Sequence, residues 1–224
     1  MSLVPEFELG FWNAWIIAVL GFILPWIPSY INKEVVNKRM RKFRWSEFSK
    51  TVKTVLIITQ VIIMPFTIIY SFFLPLKLGT VWFYVGLPIS ILGIIMPCIS
   101  GVSFGTAPLD KPITTGVYRF SRNPEYFSVF LQYLGIGMSG LSWVFILCAV
   151  AWIISFHIEV VQSEEPSLIE KYGDAYKEYM NRTPRWIGIP KSGKKRAPSC
   201  SERGSEKSSE YNEKQLLYVN PKRS

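Results

Sequence analysis

Residues 126–158 read YFSVFLQYLGIGMSGLSWVFILCAVAWIISFHI, a stretch of 33 residues without Asp, Glu, Lys or Arg. A membrane-spanning helix needs about 20 apolar residues, so this stretch is too long for one untilted helix and short for two full spans with a loop. Gly135, Gly137 and Gly140 lie near its middle, and each glycine costs about 1 kcal/mol relative to alanine inside a helix. The stretch therefore predicts a tight helical hairpin, with one helix over residues 125–138 and the next over residues 141–161.

Three more stretches without charged residues precede this one, and each is long enough to cross a bilayer. They predict spans over residues 11–31, 55–73 and 81–100. With the hairpin, the sequence predicts an all-α integral membrane protein of five transmembrane helices. This fold class excludes a soluble nucleic-acid-binding protein, although the net charge of +9 would suit one.

The basic residues predict the orientation of these spans. With five spans, every Lys and Arg except Lys77 falls on one side of the membrane, whereas four spans would divide them between both sides. Cytoplasmic loops carry an excess of Lys and Arg. We therefore expect an N-terminus outside the cell or in the lumen and a cytoplasmic C-terminus, and the pattern fits a plasma membrane and an endoplasmic reticulum equally well.

Polar residues gather in three segments on the predicted cytoplasmic side. Their sequences are TGVYRFSRNPEY at 115–126, SEEPSLIEKYGDAYKEYM at 163–180 and NRTPRWI at 181–187. A helical pair that goes out and returns brings Arg122 and Glu164 to one membrane face, where they can share a pocket. Pro166 predicts the start of a separate amphipathic helix that ends at Thr183. Taken singly, the arginines could be membrane anchors, the glutamates a solvated helix start and the tyrosines an interface belt.

The ordered set of these segments around an apolar hairpin resembles the isoprenylcysteine carboxyl methyltransferase family and the related membrane phospholipid methyltransferases. The resemblance runs from Gly116 to about Ile187. It implies an S-adenosylmethionine pocket at the cytoplasmic face and a methyl acceptor that is lipidic or prenylated, a small molecule or a protein. Membrane lipids are then expected partners and nucleic acids are not.

The resemblance also assigns roles to individual residues. It implies catalytic roles for Glu165 and Arg182, with Arg185 closing the same C-terminal motif. The implied cofactor-binding residues are Gly116, Val117, Tyr118, Arg122, Asn123, Pro124, Tyr126, Glu164 and Glu165. A metal site is not expected, because one histidine and scattered cysteines do not supply the usual ligand spacing.

Two departures from the family pattern leave alternatives open. Asn123 stands where the family usually has His, and residues 156–159 read FHIE where members that act on a prenylcysteine carboxylate tend to have a basic residue. The sequence therefore does not specify a prenylcysteine acceptor. An NADPH-dependent membrane reductase of the sterol type and a non-catalytic protein that retains the fold remain alternative interpretations, and the oligomeric state is open.

These patterns predict three regions. Residues 1–110 hold the first three transmembrane helices and a basic cytoplasmic loop over 33–53. Residues 111–189 form the methyltransferase-like region with the hairpin and the interfacial helix. Residues 190–224 form a disordered tail rich in Ser and basic residues, since nothing there can bury a core.

Overall fold

The computed structural model describes residues 10–30, 33–40 and 48–190, and within these ranges the chain is helical with no strand. The predicted tail beyond residue 190 and part of the predicted basic loop lie outside the described residues. The α-helices in the described part are α1 (Trp15–Ile23), α2 (Lys33–Met40), α3 (Lys50–Ile57), α4 (Met64–Phe72), α5 (Val81–Thr106), α6 (Pro124–Ser139), α7 (Trp143–Glu159), α8 (Glu165–Tyr172) and α9 (Asp174–Arg182).

Within the described ranges, three continuous helical rods are long and apolar enough to cross a membrane. They are Lys50–Phe72, Val81–Thr106 and Trp143–Tyr172. The first joins α3 to α4 through a π-helical segment, Ile58–Ile63, and the last joins α7 to α8 through Val160–Glu164. The described residues are thus helical as predicted and include helices suited to crossing a membrane, while the full set of five spans stays a prediction.

The first predicted span differs from a regular helix. The α-helical part ends at Ile23, and the chain continues as a 3-10 helix over Leu24–Tyr30. Pro25 and Pro28 explain the change, because proline has no N–H to donate and disfavours the α conformation in the residue before it.

Helices α5 and α6 approach each other through small residues. A Cβ atom built on Gly135 would lie 2.5 Å from the carbonyl oxygen of Gly86 and 2.3 Å from Oγ of Ser90. Only hydrogen fits at this position, so the two backbones come into direct contact, as is common between membrane helices. This packing fixes α6, which carries part of the site.

Helices α6 and α7 are joined by a turn over residues 140–142, in which Ser142 N–H donates to the Gly137 carbonyl at 2.8 Å. The ring of Tyr126, near the start of α6, stacks on Phe156, near the end of α7, with 4.5 Å between centroids. The turn therefore returns the chain beside α6 and brings the N-terminal end of α6 to the C-terminal end of α7.

The predicted separate helix after Pro166 is wrong in two respects. The helix that begins at Trp143 continues through Pro166. Pro166 lies in the first turn of α8, directly after the π-helical segment. It does not break the helix there because α-type hydrogen bonding is already interrupted. The break comes later, at Gly173, whose φ of +57° is a conformation that glycine adopts without strain. Two short helices, α8 and α9, therefore stand where one was predicted.

Candidate functional site

A cavity of about 620 Å³ lies where the segment before α6 meets the end of the long α7–α8 rod. Its polar wall is formed by Tyr118, Arg122, Glu125, Tyr126, Glu159 and Glu164. Its apolar wall comes from the first helix and α5, with Phe22, Pro25, Trp26, Pro97, Gly101 and Phe104. A single cavity therefore offers both charged groups and hydrocarbon surface.

The segment before α6 begins with a 3-10 turn, Gly116–Arg119. Gly116 has a φ of +60°, and a Cβ there would lie 2.8 Å from Oγ of Ser103, so the position requires glycine. The turn places the Tyr118 side chain in the cavity wall, and the Tyr179 hydroxyl on α9 fixes the turn by donating to the Tyr118 carbonyl at 2.7 Å.

Tyr118 stands beside carboxylates in this wall. Burial raises the pKa of the Tyr118 hydroxyl well above its ordinary value, and the nearby Glu125 and Glu164 carboxylates raise it further. The phenol therefore stays protonated at neutral pH and serves as a hydrogen-bond donor. Glu125 in turn accepts a hydrogen bond from Ser100 Oγ at 3.1 Å.

Glu165 lies behind the cavity wall and holds two arginines. Its Oε1 lies 2.8 Å from Nη1 of Arg122, and its two oxygens accept from Nε and Nη2 of Arg185 at 3.0 and 2.8 Å. Only 7% of the Glu165 side chain and 8% of the Arg122 side chain are exposed. Because buried charges need a partner, this group fixes the Arg122 guanidinium at the cavity.

The chain after α9, residues 183–188, lies along the segment before α6, and these contacts hold Arg185 in position. Arg122 N–H donates to the Pro184 carbonyl at 3.0 Å, and Asn123 Nδ2 donates to the Arg185 carbonyl at 3.1 Å. Asn123 is itself buried. The Asn123 side chain therefore positions the backbone that carries Arg185.

Several polar atoms in the cavity wall have no hydrogen-bond partner among the residues that the structure describes. They are Oε2 of Glu159, Oε2 of Glu164 and Nε of Arg122, all buried. The Tyr126 hydroxyl hydrogen-bonds to the Glu164 carboxylate. Buried polar atoms in proteins are normally satisfied, so this set indicates a polar ligand.

The structure divides the predicted site residues into two groups. Tyr118, Arg122, Tyr126 and Glu164 line the cavity together. Gly116, Val117, Asn123, Pro124, Glu165 and Arg182 do not line it. Arg182 lies half exposed on α9, in an ion pair with Glu178, whereas Arg185 contacts the site through Glu165.

Sequence analysis missed Glu125 and Glu159 as residues of the cavity wall. Both stand at the ends of otherwise uncharged apolar stretches. An acidic residue at the end of a membrane-spanning stretch is costly unless it faces a polar interior. This is the signal that could have identified Glu125 and Glu159.

Comparison with known proteins places the similarity on this region. Residues 75–175 match the family model described as phospholipid methyltransferase. The chain is 30% identical over 86 residues to a protein-S-isoprenylcysteine O-methyltransferase of Dictyostelium discoideum, and 31% identical over 78 residues to one of Schizosaccharomyces pombe. Each match covers 35% of this chain and 32% of the relative.

These matches confirm the resemblance to the isoprenylcysteine carboxyl methyltransferases and phospholipid methyltransferases. The chain spans about a third of the length of the curated relatives it matches. The family match contains the cavity residues from Tyr118 to Glu164 and ends before Arg185. The similarity favours a methyltransferase over the sterol-type reductase that the sequence left open.

Proposed function

We propose that this chain is an S-adenosylmethionine-dependent membrane methyltransferase with a lipidic or hydrophobic acceptor. The observation that carries the proposal is a set of buried polar atoms in one cavity that have no hydrogen-bond partner among the described residues. They lie within the part of the chain that is similar to membrane methyltransferases. The apolar wall of the same cavity is suited to an acceptor with a hydrocarbon tail.

The residues present fit the chemical groups of the cofactor. Its sulfonium and ammonium are cations, which a carboxylate such as Glu164 and the faces of Tyr118 and Tyr126 stabilise. Its carboxylate suits the Arg122 guanidinium, whose Nε–H has no acceptor within the described ranges. Bound S-adenosylmethionine supplies an activated methyl group.

The residues of this chain would act mainly by orientation. Methyl transfer is a direct displacement, so its rate depends on the alignment of donor and acceptor more than on an acid or a base. Glu165 and Arg185 hold the Arg122 guanidinium in a fixed position, and Tyr118 is held through its own backbone by Tyr179. In this proposal Glu165 is a positioning residue, and Arg182, outside the cavity, has no direct part.

We also propose that the cavity opens to the cytoplasm, with the N-terminus outside or in the lumen. The support is the distribution of basic residues, which places all Lys and Arg except Lys77 on one side when five helices cross the membrane. A polar cofactor would then enter from the cytosol, and a lipidic acceptor would enter from the bilayer.

The direct test is transfer of tritiated methyl from S-adenosylmethionine to membrane lipids or prenylated peptides by the purified full chain. We expect transfer by the wild type, loss of at least about tenfold in Glu164→Ala, and no change in Glu170→Ala, since Glu170 is an exposed carboxylate on α8. The proposal is refuted if the wild type shows neither binding of S-adenosylmethionine nor transfer of its methyl group.

A further inference from the structure

A short apolar segment follows Arg185 and does not line the cavity. It consists of Trp186, Ile187, Gly188 and Ile189, and its two isoleucines are 58% and 91% exposed. One exposed isoleucine is ordinary on a protein surface. Two of them directly after a buried ion pair leave an apolar surface beside the site, and the position of Trp186 indicates what covers it.

Trp186 lies on the lipid-facing side of the α7–α8 rod. Its ring packs against the ring of His157, with 6.0 Å between the centroids. His157 is exposed and continues a stripe of exposed apolar residues along α7, which are Leu147, Val150 and Ile154. Residues spaced by three and four lie on one face of a helix. In a rod that is apolar enough to cross a membrane, an exposed apolar face is the face that contacts lipid.

The depth of His157 in this rod places Trp186 within the bilayer. The rod begins at Trp143, and fourteen further residues at about 1.5 Å each put His157 roughly 21 Å along the helix axis. The hydrocarbon core of a bilayer is about 30 Å thick. A rod that crosses the membrane from Trp143 is therefore still among acyl chains at His157, close to the interface, where tryptophan is enriched.

The charges of the segment permit contact with lipid. Between Thr183 and Pro190 the one charged side chain is Arg185, and its guanidinium is paired with the Glu165 carboxylate. An unpaired charge at membrane depth would be costly. Without one, the apolar side chains after Arg185 can lie against acyl chains.

We propose that residues 186–189 are a membrane anchor, in which Ile187 and Ile189 insert among the acyl chains of the leaflet next to the cavity. The partner of this surface is the bilayer itself. The anchor lies outside the predicted spans, and its role is independent of the reaction proposed above.

The anchor also holds part of the site in place through the backbone. Gly188 N–H donates to the Phe120 carbonyl at 3.0 Å, and Arg122 N–H donates to the Pro184 carbonyl at 3.0 Å. Lipid on one side and these hydrogen bonds on the other fix the segment that carries Arg185. Removing the lipid contact should therefore loosen both hydrogen bonds.

The first test measures contact with acyl chains. In a chain whose Cys98, Cys148 and Cys200 are replaced by serine, nitrobenzoxadiazole is attached to Ile189→Cys or to the control Glu170→Cys. Glu170 is exposed on the same rod, roughly 40 Å from Trp143 and thus beyond the hydrocarbon core. In nanodiscs whose lipids carry a nitroxide on the acyl chain, we expect quenching at least about twofold stronger for Ile189→Cys than for Glu170→Cys.

Two results of this test would overturn the inference. One is equal quenching of the two labels, or no quenching of either. The other is a blue-shifted emission of the Ile189→Cys label without quenching, which would show that protein covers the segment, either a second copy of the chain or the residues after 190.

The second test asks whether lipid contact holds the segment against the site. Hydrogen exchange of the Arg122 and Gly188 amides is followed by mass spectrometry on the full chain in nanodiscs. We expect Ile187→Asp combined with Ile189→Asp to raise both exchange rates at least about tenfold, because carboxylates leave the bilayer interior. Asn181→Asp, which adds a carboxylate at an exposed position of α9, should leave both rates unchanged.

Both replaced isoleucines are mostly exposed, so the double variant keeps the packing of the helices. Unchanged exchange of the two amides in this variant would overturn the inference. Neither test uses a methyl donor or acceptor, and failure of either leaves the proposed methyltransferase function as it stands.

Discussion

At the scale of single residues, the charge of Glu165 organises the site from behind the cavity. In Glu165→Gln the two arginines lose their shared carboxylate, and Arg122 is left buried without a counter-charge. Breaking a buried ion pair by removing one partner costs about 3–5 kcal/mol, so we expect the free energy of unfolding to fall by an amount in that range. Chemical unfolding in detergent measures this change.

The control for this variant is Glu170→Gln, which removes an exposed carboxylate from the same helix. We expect it to unfold as the wild type does. Equal stability of Glu165→Gln and the wild type would show that the Arg122–Glu165–Arg185 group does not hold the site together.

Asn123, which stands where the family pattern usually has His, anchors the segment that carries Arg185. Its side-chain N–H donates to the Arg185 carbonyl, a bond that a histidine N–H at the same position could also make. We expect Asn123→His to bind S-adenosylmethionine as the wild type does, and Asn123→Ala to bind it about tenfold more weakly because the Arg185 segment loses an anchor. Equilibrium dialysis measures both affinities. Exposed Asn181→Ala is the matched control, and wild-type affinity in Asn123→Ala would contradict this role.

Sequence motifs identified Tyr118, Arg122, Tyr126 and Glu164, all of which line the cavity. They did not distinguish Arg182 from Arg185, which stand three residues apart in one motif. The difference arises because α9 ends at Arg182 and the chain after it turns back along the segment before α6. Spacing along the sequence does not show such a return, since it depends on hydrogen bonds between distant backbone segments.

At the scale of elements, the π-helical segment Val160–Glu164 aligns the acidic residues with the cavity. Five residues of α-helix would separate Glu159 and Glu164 by about 140° around the helix axis. The wider turn of a π-helix brings residues five apart closer to one face, and such segments are frequent at functional sites. Both glutamates accordingly line the cavity, while Glu165 faces the arginines.

Deleting exposed Gln162 tests this role, because a chain one residue shorter can continue as an α-helix. In that helix Glu164 would follow Glu159 by four residues, about 40° around the axis, and would stay on the cavity face. Inserting one alanine after Gln162 instead rotates the later residues by about 100° relative to α7, which moves Glu164 and Glu165 from their partners. We expect the insertion to lose at least about tenfold in affinity for S-adenosylmethionine, and both the deletion and Gln162→Ala to keep the affinity. Wild-type affinity in the insertion would contradict this account.

The glycines of residues 126–158 were expected to mark a break after residue 138, and α6 ends one residue later, at Ser139. Gly135 and Gly137 lie inside α6, as in the predicted helix, and pack closely against α5 and Ile146. In membrane helices small residues serve close packing, and this outweighs their intrinsic helix propensity. The turn comes only at residues 140–142, where Leu141 has a φ of +52°.

At the scale of the whole molecule, the absence of charge over long stretches was enough to predict a helical membrane protein. It did not predict the π-helical segments or the 3-10 end of the first span, because these depend on local hydrogen bonding that charge patterns do not record. The orientation rests on basic residues alone and is open to a direct test.

For that test, Cys98, Cys148 and Cys200 are first replaced by serine. Single cysteines are then introduced as Lys77→Cys, Lys111→Cys and Arg182→Cys. The variants are produced in a bacterial plasma membrane. Since five spans place only Lys77 opposite the other basic residues, we expect a membrane-impermeant maleimide to label Lys77→Cys in intact cells and the other two only after permeabilisation. Should Lys111→Cys and Arg182→Cys label from opposite sides, the two halves of the site would not share a cytoplasmic face.

Equilibrium binding of radiolabelled S-adenosylmethionine to the purified chain in nanodiscs tests the central claim most directly. The claim is that the segment before α6 and the end of the α7–α8 rod form one cofactor-binding cavity. It predicts saturable binding at one site per chain, weakened at least about tenfold in Glu164→Gln and unchanged in Glu170→Gln. Absence of saturable binding, or equal affinity of Glu164→Gln and the wild type, would contradict it.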